Sequence, residues 1–393
     1  MQIKAHKVTK LSSINILISH TITDISQGAF PVLVPIIKQL YLLNYSQVGF
    51  LVFLQSLTSS ICQPLFGIIS DKKAYPWFIP VGVIFSGVAM GCIVLAPSYT
   101  WLVILIALSG FGSAIFHPQG MKIANRVSPP KTKGKNVAFF SLGGNLGFAI
   151  GSFLVGILLS LKGGFSNVIW IAAPAVLMIP FFIVSYKNIS LASHLGEKKD
   201  AHTEKEKIPY AFLAVLVGFI FLRSSLYSGI NTYTPLYHVD VLHQNSLFIG
   251  NYLSIFSIAG VIGTFLGGIL SDKFGRKTII AGSMLLDVPL VFLIPYVQGI
   301  WALVLAGILG MVTVASFSPT LVMAQESMKK HMALAGGLTT GLGIGLGGVG
   351  ATLLGNLADI ISLPVLLHWL PLLALIAAGF TLFLPGEYGK NNQ

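Results

Sequence analysis

Stretches of about twenty apolar residues recur along the whole length of this chain, at 14–37, 47–70, 78–96, 100–124, 137–160, 167–186, 209–234, 247–270, 278–297, 300–325, 333–357 and 363–384. In lipid every backbone polar group must be satisfied within the protein, so a spanning segment is either a helix or a strand of a closed barrel. Barrel strands alternate over about ten residues, and these stretches are too long and too uniformly apolar for that. They predict an all-α integral membrane protein with twelve transmembrane helices. Composition agrees: 9% of the residues are charged, against roughly 25% in a soluble domain. The first stretch is too long for a signal peptide and lacks an A-x-A site, so it is expected to remain as a helix.

Charge orients the spans. If the N-terminus is cytoplasmic, all but Lys38, Lys162 and Arg223 of the 24 Lys and Arg residues fall in inside segments, and both termini are cytoplasmic. The net charge of +12 is spread over these short loops rather than gathered in a basic arm, which argues against a nucleic-acid partner. Cys62 and Cys92 both lie within spans, so neither a disulfide framework nor a metal site is expected. The one long polar insert, 187–208, has mixed charge and no apolar periodicity and reads as a cytoplasmic linker. It separates a six-helix bundle over 1–186 from a second over 209–393, which ends in a short cytoplasmic tail.

The two halves repeat. Gly67-Ile-Ile-Ser-Asp71-Lys72 matches Gly268-Ile-Leu-Ser-Asp272-Lys273 at an offset of 201, and Phe116, Pro118 and Gly28 meet Phe317, Pro319 and Gly229 at the same offset. Two parallel six-helix repeats joined by an inside loop resemble the arrangement of major facilitator transporters.

Polar groups inside the spans are the candidate functional residues, because the membrane makes idle ionisable groups costly. On a helix that advances about 100° per residue, His20, Asp24 and Gln27 share one face. A carboxylate that is protonated facing one side and ionised facing the other can couple protons to substrate, so Asp24 is assigned the proton site, with His20 one turn away as relay. The competing reading is an Asp–His pair that only packs the first helix. Arg223, deep in the seventh span, keeps its charge and is expected to face a cavity, paired with Asp24 or with an anionic substrate; a packing salt bridge is the alternative. Tyr227 and Asn231 extend its stripe. His117 and Gln119 flank Pro118 in the fourth span as further cavity residues, or as packing groups. Asp287 reads as structural and Glu326 as a salt bridge at an inside loop.

The loop Gly268 to Lys277, with Asp272, Lys273, Gly275 and Arg276, reads as a conformational latch: its glycines permit a tight turn, and Asp272 can accept from a neighbouring helix N-terminus. Gly67, Asp71 and Lys72 form the second copy. Gly337, Gly341 and Gly345 at four-residue steps read as a close helix seam, as do Gly147 and Gly151. The fit of Gly345-x-Gly347-x-x-Gly350 to a dinucleotide fingerprint is spurious, since no strand precedes it.

The latch loop resembles that of the major facilitator superfamily. Gln63-Pro64-x-x-Gly67 with Pro76-Trp77, Ser19-His20-x-x-x-Asp24-x-x-Gln27, Phe116-His117-Pro118, Gly143-Gly144-Asn145-x-Gly147 and Ala324-Gln325-Glu326 are together similar to the fosmidomycin resistance proteins, a drug-efflux branch. The resemblance implies a secondary active transporter that works by alternating access. On this reading it is a proton-coupled exporter of antibiotics in multidrug-efflux style, taking a phosphonate or another small amphiphilic or anionic compound. Import of a small polar or anionic metabolite by symport is the alternative. Gln119 stands where members carry Glu, and Gly151-Ser152 where many antiporters have Gly-Pro. No nucleophile–base set points to an enzyme, and no GxxxxGK[ST] sequence points to ATP hydrolysis. The expected energy source is the proton gradient, without cofactor or metal. The partners are substrate, protons and lipid, the protein a monomer, and the location the bacterial cytoplasmic (inner) membrane, multi-pass.

Overall fold

The computed structural model describes residues 2–73, 75–126, 133–194, 210–328 and 338–384. Among these the chain is helical, with no strand. The helices are α1 Gln2–Leu40, α2 Tyr45–Ser56, α3 Gln63–Lys72, α4 Phe78–Gly91, α5 Tyr99–Arg126, α6 Lys133–Ser160, α7 Ala173–His194, α8 Tyr210–Asp240, α9 Ser246–Phe274, α10 Arg276–Phe292, α11 Ile300–Ala315, α12 Phe317–Ser327, α13 Gly343–Ile361, α14 Leu363–Trp369 and α15 Pro371–Phe380. Eleven helical stretches among the described residues are long and apolar enough to cross a membrane. The α1 helix, whose apolar run is interrupted by His20, Asp24 and Gln27, is the twelfth long helix.

Several spans that read as continuous are broken, and prolines explain where. Pro64 has no N–H for the carbonyl four residues back; the chain widens into a π-turn at Leu57–Ile61, and the Gln63 side chain donates to the Ser59 carbonyl at 2.6 Å. Pro319 likewise cannot serve Ala315, and the tenth span divides there into α11 and α12. Pro371 divides the last span into α14 and α15.

Contacts group the chain into two compact units, Met1–Leu33 with Leu54–Ala201, and Val34–Phe53 with His202–Gln393. The core of the first gathers Ile16, Ile79, Val83, Phe116, Ile123, Phe140 and Met178. That of the second gathers Leu216, Phe219, Ile220, Ile280, Met284 and Met323. Small residues let backbones meet, as packing in lipid requires. In the first unit, a Cβ on Gly82 would lie 2.7 Å from the Gly112 carbonyl oxygen, which ties α4 to α5. In the second, Asp287 of α10 is fully buried and accepts from the Thr313 hydroxyl of α11 at 2.8 Å.

The repeat at an offset of 201 reappears in local geometry that the sequence match did not include. Leu42 and His243 both take left-handed backbone, with φ 52° and 53°. Two residues on, Asn44 and Asn245 cap the following helix in the same way, accepting from Gln47 N at 2.8 Å and Phe248 N at 2.9 Å. In the two latch copies, Ser70 donates to the Gly67 carbonyl at 2.9 Å and Ser271 to that of Gly268 at 2.8 Å.

Candidate functional site

In the first unit, α1, α5 and α6 converge on a histidine–aspartate cluster. His20 and Asp24 stand one turn apart on α1, with His20 Nε2 3.2 Å from Asp24 Oδ2. His117 Nε2 comes from α5 to 3.4 Å from Asp24 Oδ1 and 3.1 Å from His20 Nε2. The other nitrogen of each ring is held by a backbone carbonyl: His20 Nδ1 by Phe140 O at 2.7 Å and His117 Nδ1 by Ser113 O at 2.8 Å. Pro118 loosens the α5 ladder beside this turn. The Phe140 ring stacks on His20 with centroids 4.0 Å apart. Glycine on α6 permits the approach, since a Cβ on Gly144 would sit 2.7 Å from both Asp24 Oδ2 and His20 Nε2. A Cβ on Gly147 would press on Asp24 Cβ at 2.8 Å, and one on Gly151 on Ala29 N at 3.0 Å. Among the described residues these three side chains are the one group placed to share a small cation.

The other first-unit candidates sit apart from this contact set. Gln119 is fully buried and donates to Ser193 Oγ at 3.1 Å. Gln27 is buried, and among the described residues its Nε2 has no hydrogen-bond partner.

The second unit carries a buried guanidinium. Arg223 of α8 is 8% exposed, and its Cζ lies 5.1 Å from the Phe317 ring of α12, within cation–π range. Among the described residues no carboxylate is paired with it. One turn on, Tyr227 packs on Phe256 with ring centroids 5.8 Å apart, and Asn231 Nδ2 donates to the Tyr227 carbonyl at 2.9 Å. Gly343 of α13 packs against the same turn of α8, where an added Cβ would come 3.2 Å from Ile220 Cγ2.

The latch residues divide. Gly275 has φ 93°, a backbone that demands glycine. Arg276 is ion-paired with Glu326, and Lys277 Nζ donates to the carbonyls of Leu382 at 2.8 Å and Leu384 at 2.9 Å. Gly268 faces Ser318, whose Oγ would lie 3.3 Å from an added Cβ; Asp272 and Lys273 are exposed. A Cβ on Gly67 would meet Pro118 at 3.9 Å. The side chains of Asp71 and Lys72, Gly337 and most of the linker lie outside the described residues. Gly345 is buried in α13, and Gly341 lies in the π-turn before it.

Sequence reasoning missed one network. Lys38, noted only as an exception to the charge rule, pairs with Asp240 at 2.9 Å. Tyr45 Oη donates to Asp240 at 3.1 Å, and Asp359 accepts from the backbone N–H groups of Tyr45 and Ser46, each at 2.8 Å. These partners lie far apart in sequence and in no motif, so only the folded chain brings them together.

Twelve long helices among the described residues, in two repeats with ionisable groups buried inside them, define the class of multi-pass membrane proteins. The profile of the Major Facilitator Superfamily matches residues 16–352, and the chain belongs to that superfamily. It is 32% identical over 370 residues to the uncharacterized MFS-type transporter YfnC of Bacillus subtilis (strain 168), covering 92% of this chain and 90% of that protein. It is 30% identical over 386 residues to the fosmidomycin resistance protein of Escherichia coli (strain K12), covering 96% and 93%. Among solved structures, a bacterial homologue of the human lysosomal transporter Spinster superposes with a TM-score of 0.78 at 16% identity, covering 96% of both chains. The nucleoside transporter NupG superposes at 0.73 and 12% identity, covering 95% of this chain and 98% of that one.

Proposed function

We propose that this protein is a proton-driven exporter of small amphiphilic anions, phosphonates among them, in the bacterial cytoplasmic membrane with both termini inside. The observation that carries the reading is Arg223: a buried guanidinium on an aromatic platform, with no protein carboxylate paired to it among the described residues. A planar five-donor fork matches a phosphonate or carboxylate, and Phe317 and Tyr227 offer an apolar surface to the rest of such a molecule. The energy comes from protons held at Asp24 and His20, and transport proceeds by alternating access. Likeness to a fosmidomycin resistance protein supports export as the direction.

Everted vesicles containing the protein test this. On acidification of the lumen, radiolabelled fosmidomycin is expected to accumulate inside, and Asp24→Asn to abolish accumulation. No accumulation in everted vesicles, together with proton-driven uptake in right-side-out vesicles, would establish symport instead.

A further inference from the structure

The two histidines of the first unit have a tautomer problem that the carbonyls around them pose. A carbonyl oxygen can only accept, so Nδ1 of His20, 2.7 Å from Phe140 O, carries a hydrogen. Nδ1 of His117 lies 2.8 Å from Ser113 O and 3.0 Å from Ser113 Oγ; the carbonyl is the shorter contact and can only accept, so this nitrogen carries a hydrogen too, with the hydroxyl as a second acceptor. A neutral imidazole has one N–H. If both rings were neutral, both Nε2 atoms would present bare lone pairs to each other at 3.1 Å, with the oxygens of Asp24 at 3.2 and 3.4 Å. Four electron-rich atoms would then converge in a site where Asp24 is 8% and His20 6% exposed. That arrangement is repulsive in a low dielectric, and one cation at its centre removes the repulsion.

We propose that His20 and His117 share one excess proton between their Nε2 atoms, balanced by the Asp24 carboxylate, and that His117 is the group through which the proton enters and leaves. With the proton, the cluster is one imidazolium, one imidazole and one carboxylate, net neutral. When the proton passes from His117 Nε2 to water, two neutral rings and a carboxylate remain, net −1, and the facing lone pairs push α1 and α5 apart. The His117 side chain is 20% exposed against 6% for His20, which places the exchangeable end on α5. On α1 the groups facing the pair are Asp24 and His20, on α5 His117 and Ser113, and on α6 the Phe140 ring and carbonyl and the backbone of Gly144. No other charged side chain among the described residues pairs with them. The proposal deepens the proton-coupled reading by moving the titrating proton from the carboxylate to the histidine pair. It stands or falls separately, because the NMR measurement that decides it needs no substrate.

The test is nitrogen NMR on full-length protein in lipid nanodiscs, with ring-15N histidine, at about neutral pH. Resonances are assigned by their absence in His20→Gln and His117→Gln, each checked for an unchanged thermal unfolding midpoint. Wild type should show Nδ1 protonated in both rings and one Nε2 proton shared between them. Asp24→Asn should lose the shared-proton signal, and His117→Gln should leave His20 neutral. A bare Nδ1 in either ring would overturn the proposal, as would two neutral rings at this pH. A stoichiometric transition-metal ion, found by elemental analysis and lost in His117→Gln, would also overturn it by naming a different cation. In everted vesicles His117→Gln should lose the pH dependence of export, which a purely structural histidine would not control.

Discussion

A single buried guanidinium is the proposed anion site of the second unit. Arg223 Cζ lies 5.1 Å from the Phe317 ring. Removing it should weaken binding of an anionic substrate by the worth of a charge-assisted hydrogen bond, about 1.5–3 kcal/mol, or roughly 10- to 100-fold in affinity. Fosmidomycin binding to purified protein, measured by calorimetry, should show that loss for Arg223→Gln. Arg223→Lys should recover only part of it, because an ammonium is a point charge without the planar fork. Equal affinity in wild type and Arg223→Gln would remove this residue from the substrate site. The residue itself was legible in the sequence, since Arg deep in an apolar span stands out. Its platform was not, because Phe317 lies 94 positions away and the sequence marked it only as the repeat partner of Phe116. The same holds for His117: its motif marked it as a candidate, yet its contact with Asp24 depends on how α1 and α5 meet.

At the scale of the element, the turn between α1 and α2 is tied down by side chains from α8 and α13. Asp359 acts as an N-cap supplied from another helix, taking the first two backbone N–H groups of α2 and the Ser46 hydroxyl. Gly355 and Gly49 let the same helices close, since a Cβ on Gly49 would lie 2.7 Å from the Ala351 carbonyl oxygen. Loss of a cap costs about 0.5–2 kcal/mol, and Asp359 is exposed, so Asp359→Ala should fall at the lower end. Thermal unfolding in nanodiscs should show a lowered midpoint for Asp359→Ala and a smaller drop for Asp359→Asn, which keeps an acceptor oxygen. An unchanged midpoint in both would mean that the cap contributes nothing to stability. Helix existence was legible from hydropathy alone. Helix interruptions were legible in principle from Pro64, Pro319 and Pro371, but whether a proline is absorbed, as Pro118 is inside α5, or breaks the helix depends on what rescues the orphaned carbonyl.

For the whole molecule, the two-repeat design with buried ionisable groups and no phosphate-binding loop makes an ion gradient the proposed energy source. In energised everted vesicles, a protonophore should abolish substrate accumulation, while ATP depletion with the gradient maintained should leave it intact; the reverse pattern would exclude a secondary transporter. The sequence by itself determined the membrane-spanning class, the number of long helices and the internal repeat. Each follows from local composition or from comparing the chain with itself, and the lipid environment leaves little else for an apolar stretch of that length. It also marked Asp24, His20, Arg223 and His117, because charge inside an apolar run is conspicuous without any knowledge of neighbours. Only the tertiary structure decided what these groups touch: which carbonyl holds each imidazole, which oxygen of Asp24 each ring meets, and that Lys38 answers to Asp240. Those pairings depend on helix crossings set by small residues such as Gly144, and a one-dimensional pattern of polar and apolar residues carries no record of crossing geometry.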